Sequence, residues 1–242
     1  MRKGMQNYIN AGSLFFFADE VAPTFRDDVL VCMLSGQLVA SGKHQKNEEY
    51  AAWCQTYLHT LTRLRLDTAY RNVASIPVET EGSIWTDVRQ ALFKRVSPEL
   101  VTRASNLLEE FATNTQDQGI SALLHEQTTR LIRPARMSEP SSPDDAPDIE
   151  IPALSNVVLQ LGFIDVQPFV HLILLSFDSH QPCNMLPFSQ LFTQVDRPGN
   201  LELTMVSVKL EQDDFSRFRA DMIERLGPRR EQLIKPVSEV RP

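Results

Sequence analysis

The chain has 242 residues, 23 % of them charged and 42 % hydrophobic, and a net charge of −7. That length suits one large domain or two small ones, and the composition excludes wholesale disorder. Acidic residues outnumber basic ones, 31 to 24, and the two densest basic runs, Arg63-Leu64-Arg65 and Pro228-Arg229-Arg230, carry no interleaved aromatics, so nucleic acid is not an expected partner.

Ser13 to Phe17 reads as a short strand or buried extended segment. A helix follows Pro23. Thr24 is its expected N-cap, Asp27 and Asp28 are placed in its first turn, and Phe25, Val29, Cys32, Met33, Gly36 and Ala40 recur at helical spacing. Gly36 within that helix implies a close approach by another helix, and Gly42 is a natural stop. A second helix is expected from a cap at Asn47. Its apolar stripe is Tyr50, Trp53, Cys54, Tyr57, Leu58, Leu61 and Leu64. The short connection around His44 predicts an antiparallel helix pair.

Ile76-Pro77-Val78 reads as a turn or short strand. Ile84, Val88, Ala91, Leu92 and Arg95 fit a third helix. Ser97-Pro98-Glu99 starts a fourth, with Leu100, Ala104, Leu107, Leu108 and Phe111 on its buried face. Asn114 to Gly119 reads as a loop, and Ile120, Leu123, Leu124, Gln127 and Leu131 predict a further helix ending at Arg133-Pro134. Residues 134–152 carry five prolines among Ser, Asp and Glu, which predicts a surface loop or linker.

Beyond it the texture changes. Val157 to Leu161, Phe169 to Leu175 and Leu201 to Met205 read as short strands joined by short connections, hence antiparallel. One last helix is expected over 213–226, capped by Asp213 or Asp214 and stopped by Gly227-Pro228, with 229–242 a loose tail. The fold expected is a single α+β domain: an N-terminal helical layer packed on a small, mostly antiparallel sheet and closed by a C-terminal helix.

Chemistry-bearing residues are sparse. Three cysteines at wide spacing, Cys32, Cys54 and Cys183, are no disulfide framework and point to folding in a reducing, cytoplasm-like compartment. The apolar run Leu14 to Phe17 is too short for the core of a signal peptide, and no run reaches the roughly 20 residues that span a bilayer. His180-x-x-Cys183 is the nearest approach to a metal-ligand pair, two short of the four that structural zinc needs, so no metal is expected. Cys32 and Cys54 lie on apolar helix faces and read as core, as does Trp53. Asp27 and Asp28 point about 100° apart on a helix and cannot face one substrate together. Ser176, Asp178 and His180 are serine-hydrolase residue types, expected to be scattered by the strand and turn that hold them. No G-x-S-x-G elbow or phosphate-binding glycine loop is present. Cys183, with His180 as its local base, is the one chemically open position.

The pattern Arg26-Asp27-Asp28-Val29-Leu30, Gln37-Leu38-Val39-Ala40, then Tyr50, Trp53, Tyr57 and Leu61-x-x-Leu64, together with the helix from Phe215 to Leu226, resembles the Erwinia virulence factor family of bacterial proteins. The likeness covers residues 10–133 and 169–226, and the chain departs from the family pattern at Arg65-Leu66, where a Gly-Trp pair is expected. The resemblance implies an α/β fold, no enzymatic activity, a role in persistence in an insect host, and a fatty acyl chain on a cysteine, for which Cys183 is the candidate. Three readings follow. The first is a non-enzymatic accessory or virulence factor, acylated at Cys183, with peripheral membrane association or a non-classical route of secretion. The second is a cytosolic immunity-like or adaptor-like partner whose acidic surface masks a basic target. The third is a Cys-dependent acyl-transfer or hydrolytic enzyme, which requires a histidine within reach of Cys183.

Overall fold

The computed structural model describes residues 6–77, 82–113, 127–132, 154–165, 168–180, 191–192 and 197–237. In chain order the elements are β1 (Gln6–Asn10), β2 (Ser13–Phe17), α1 (Pro23–Ser41), α2 (Tyr50–Arg63), β3 (Leu66–Ile76), β4 (Gly82–Ser83), α3 (Ile84–Leu92), α4 (Pro98–Thr113), β5 (Thr129–Ile132), β6 (Leu154–Ile164), β7 (Phe169–Ser179), β8 (Leu191–Phe192), β9 (Leu201–Leu210), α5 (Gln212–Ser216), α6 (Arg219–Leu226), α7 (Pro228–Leu233) and β10 (Ile234–Val237). The chain is α+β, with a mostly antiparallel sheet.

That sheet is larger than the sequence suggests. It has eight strands in the order β10-β1-β2-β6-β7-β9-β3, with β5 beside β6. Among the described residues only β2 and β6 run parallel, Leu14 opposite Leu161 through Phe17 opposite Ile164. β7 covers one edge of β6, while β2 and β5 share the other end to end. The predicted strands at 157–161, 169–175 and 201–205 are the antiparallel run β6-β7-β9.

Alternation along the strands builds two cores. Leu14 and Phe16 face a core completed by Val88 and Leu92 of α3 and Leu100, Ala104 and Leu107 of α4. Phe15 and Phe17 face a second core that holds α1, α2, Phe215 and Leu226. The helices therefore lie on both faces of the sheet. α1 is buried nearly all round, from Asp28 through Gln37, because α2 and the C-terminal helices cover what the sheet leaves open.

Gly36 is the close approach its position implies. A Cβ there would lie 2.9 Å from Cε2 of Tyr57 and 3.0 Å from Cδ2 of Leu61. Ser41, farther along α1, accepts a hydrogen bond from Trp53 Nε1 at 3.0 Å, so α1 and α2 run antiparallel. Tyr57 Oη donates to Met33 Sδ at 2.9 Å and accepts from Gln160 Nε2 at 2.6 Å, which fixes the pair to β6.

Several local expectations change. α1 begins at Pro23 with Ala22 as N-cap, so Thr24 caps nothing and Asp27 and Asp28 lie past the first turn. α2 begins at Tyr50, not after Asn47, because Gln45 to Glu49 forms a turn in which Glu49 accepts a hydrogen bond from Gln45 N at 3.2 Å. The stretch after α2 is a full strand, β3. Residues 129–132, expected at the end of a helix, pair with β6 as β5. Gln127 and Thr128 are helical, and residues 120–126, like the Pro-rich 134–152, lie outside the described residues. The last helix breaks at Arg217–Phe218 into α5 and α6, and neither Asp213 nor Asp214 caps α5, whose N-cap is Glu211. Beyond Gly227 the chain is no loose tail as far as Val237, since α7 leads into β10, which pairs with β1.

Candidate functional site

Cys183 lies outside the described residues. His180 follows the end of β7, half-buried, and its Nδ1 has no hydrogen-bond partner among them. Cys32 and Cys54 are core, as expected, and burial pushes the Cys54 thiol up to about 11 and raises that of Cys32. Burial disfavours the thiolate of both. Ser176 and Asp178, two residues apart, lie on one face of β7, whereas His180 falls beyond its end. Asp178 is engaged by Asn156 Nδ2 at 2.8 Å, and no hydrogen bond joins the three to one another.

A second polar pair was not singled out by the sequence. His171 Nδ1 lies 2.8 Å from Ser207 Oγ across the β7–β9 register. Burial lowers the His171 pKa, with Asp165 acting in the opposite direction and Arg95 adding to the fall. Both residues are buried, at 8 % and 3 % exposure, so the pair is a cross-strand tie that no substrate reaches.

An open concavity lies elsewhere. A groove of about 970 Å³ lies on the outer side of α1 and α2, walled by the start of β3 and by α6 and α7. Its floor is apolar: Leu38, Leu58, Leu64, Met222 and Leu226. Five cationic side chains line it, Lys43, Arg63, Arg71, Arg225 and Arg229, and no carboxylate among the described residues does. Arg225 is paired with Asp221 at 2.8 Å, whereas Lys43, Arg63, Arg71 and Arg229 have no ion pair among the described residues. The two basic runs of the sequence meet here, Arg63 from the end of α2 and Arg229 from the start of α7. In a chain of net charge −7 this is a local inversion of sign. Arginine forks and the hydroxyl of Thr68 suit an oxyanion, and the floor suits a hydrocarbon beneath it. A volume of this size is that of a small-ligand cleft.

No metal-binding group of three or more His, Cys, Asp or Glu occurs among the described residues, and none of their helices is long and apolar enough to cross a membrane. No protein-family model matches the chain, and no curated protein matches it at a significant level.

Proposed function

We propose that the protein is a non-enzymatic accessory factor of the virulence-factor-like kind that acts by binding an anionic amphiphile, and that the groove over α1 and α2 receives the anionic headgroup of a membrane lipid. The observation that carries this reading is the set of cationic side chains, unopposed by any lining carboxylate among the described residues, above an apolar floor. On this reading the α1–α2 layer, with the C-terminal helices closing over it, is the binding face. A fatty acyl group on Cys183 would add a second, hydrophobic attachment, since one acyl chain alone gives only marginal and reversible membrane affinity.

The test is flotation with vesicles. The protein should rise with phosphatidylglycerol vesicles at low salt, stay behind with phosphatidylcholine vesicles, and lose binding in the Arg63→Glu/Arg229→Glu double variant. Failure of the wild type to bind anionic vesicles at low salt would sink the reading. Intact-mass analysis of protein made in bacteria tests acylation separately, with an unmodified Cys183 as the negative outcome. The adaptor reading inverts in sign at this surface: a partner for the groove is acidic, not basic. The Cys-dependent reading turns on Cys183, which lies outside the described residues.

A further inference from the structure

The sheet ends differently on its two sides. One margin is β10, four residues long and carrying Lys235 and Pro236, both of which discourage another strand from pairing. The other margin is β3, eleven residues long, paired with β9 along Leu66 to Ile76 and with no strand on its outer side among the described residues. Residues 66–76 contain neither Lys nor Pro. The one irregularity, a register shift between Thr68 and Tyr70, leaves Tyr70 to Ile76 as a regular ladder. At the centre of that stretch Val73 is 58 % exposed.

We infer that β3 pairs antiparallel with β3 of a second copy of this chain, with the two-fold axis through Val73. The occupant follows from the stretch being complementary to itself. With the axis at Val73, Val73 faces its own copy, Tyr70 faces Ile76, Arg71 faces Ser75 and Asn72 faces Ala74. Tyr70 and Ile76 are both half-buried on the α3–α4 side, so their pairing extends that apolar surface across the joint. Arg71 meets a hydroxyl. Moving the axis to Arg71 would set two guanidinium groups face to face, and moving it to Asn72 would set Arg71 against Val73. Strand addition over seven residues buries less than a standard interface, so the dimer is weak and concentration-dependent.

A two-fold axis perpendicular to the sheet keeps like faces together. Both α1–α2 faces, and so both basic grooves, then point the same way from one continuous sheet. If the groove binds anionic headgroups, as proposed above, the dimer is bivalent on a flat anionic surface; the pairing itself does not rest on that reading.

Sedimentation of the full chain without lipid tests the pairing. The wild type should pass from monomer to dimer as concentration rises, and Val73→Lys should remain monomeric with an unchanged circular dichroism spectrum, because Val73 is exposed in the monomer. With Cys183→Ser in the background, Val73→Cys should form a disulfide-linked dimer under mild oxidation and Thr68→Cys should not. A wild type that stays monomeric at all concentrations, a Val73→Lys variant that still dimerises, or equal cross-linking at both positions would overturn the inference. Flotation separates the two proposals. Val73→Lys should weaken vesicle binding without abolishing it, whereas Arg63→Glu/Arg229→Glu should abolish vesicle binding and leave the dimer intact.

Discussion

Asp28 of α1 and Arg219 of α6 form a two-pronged ion pair across 191 residues of chain, Nε to Oδ1 at 2.6 Å and Nη2 to Oδ2 at 2.5 Å. Asp28 is 2 % exposed, and Gln212 Nε2 donates a further hydrogen bond to it at 3.3 Å. The pair holds the C-terminal helices against α1, and the two partners are not equivalent. Arg219→Ala leaves a buried carboxylate with only Gln212, so it should destabilise by about 2–4 kcal/mol. Asp28→Asn leaves a half-exposed guanidinium that water can solvate, and should cost about 1–2 kcal/mol by the same reasoning. Arg219→Lys should recover only part of the loss, because an ammonium cannot engage both oxygens in the same geometry. Urea midpoints of the three variants test the order.

Gly162 of β6 lies opposite Phe15 of β2, and a Cβ at that position would overlap the Phe15 ring. Gly162→Ala should therefore cost about 1–3 kcal/mol through overpacking. Combining it with Phe15→Leu should cost less than the sum of the two single changes, since the ring that obstructs the methyl is gone. A double-mutant cycle by chemical denaturation reads the coupling directly.

Arg65 follows α2 with φ +68°, the left-handed conformation that a helix C-terminus favours and that glycine adopts without strain. Arg65→Gly should raise stability by about 1 kcal/mol, the usual penalty for a side chain there. Thermal unfolding measures it, and a lower midpoint would count against the argument.

His171 gives a pH dependence with a definite sign. Its folded pKa is below the ordinary 6.5 because burial disfavours the imidazolium. The unfolded chain therefore takes up the proton first as pH falls. The stability associated with neutral His171 is fully present above about pH 6.5 and declines below it. Denaturant midpoints at pH 7.5 and 5.5 should differ less in His171→Gln than in the wild type.

Much of the fold was legible because its signals are local. Trp53, Tyr57 and Leu61 recur at helical spacing, Ser97-Pro98 starts α4, and the apolar runs of β6, β7 and β9 are bounded by turn residues. β3 was not legible. At the margin of the sheet, Asp67, Thr68, Ala69, Arg71, Asn72 and Val73 are all exposed, so no alternation of apolar and polar residues marks a strand. Leu131 fitted a helical spacing with Ile120 and Leu124, yet residues 129–132 complete the open edge of β6, a need set by distant chain. The break between α5 and α6 carries no local signal either: Phe215 and Phe218 keep helical spacing while packing edge to face at 5.0 Å across it.

The groove shows the same division. By itself the sequence determined that Arg63 sits at the end of an amphipathic helix and that Arg229-Arg230 follows Gly227-Pro228, because helix stripes and stop signals act over a few residues. Only the tertiary structure decided that Arg63 and Arg229 line one cavity, that Asp28 is neutralised by Arg219, and that Ser207 ties His171. Each of these joins residues whose separation in sequence carries no local signal, and each arises from the packing of helices on a sheet that the chain enters first at β1 and leaves last at β10.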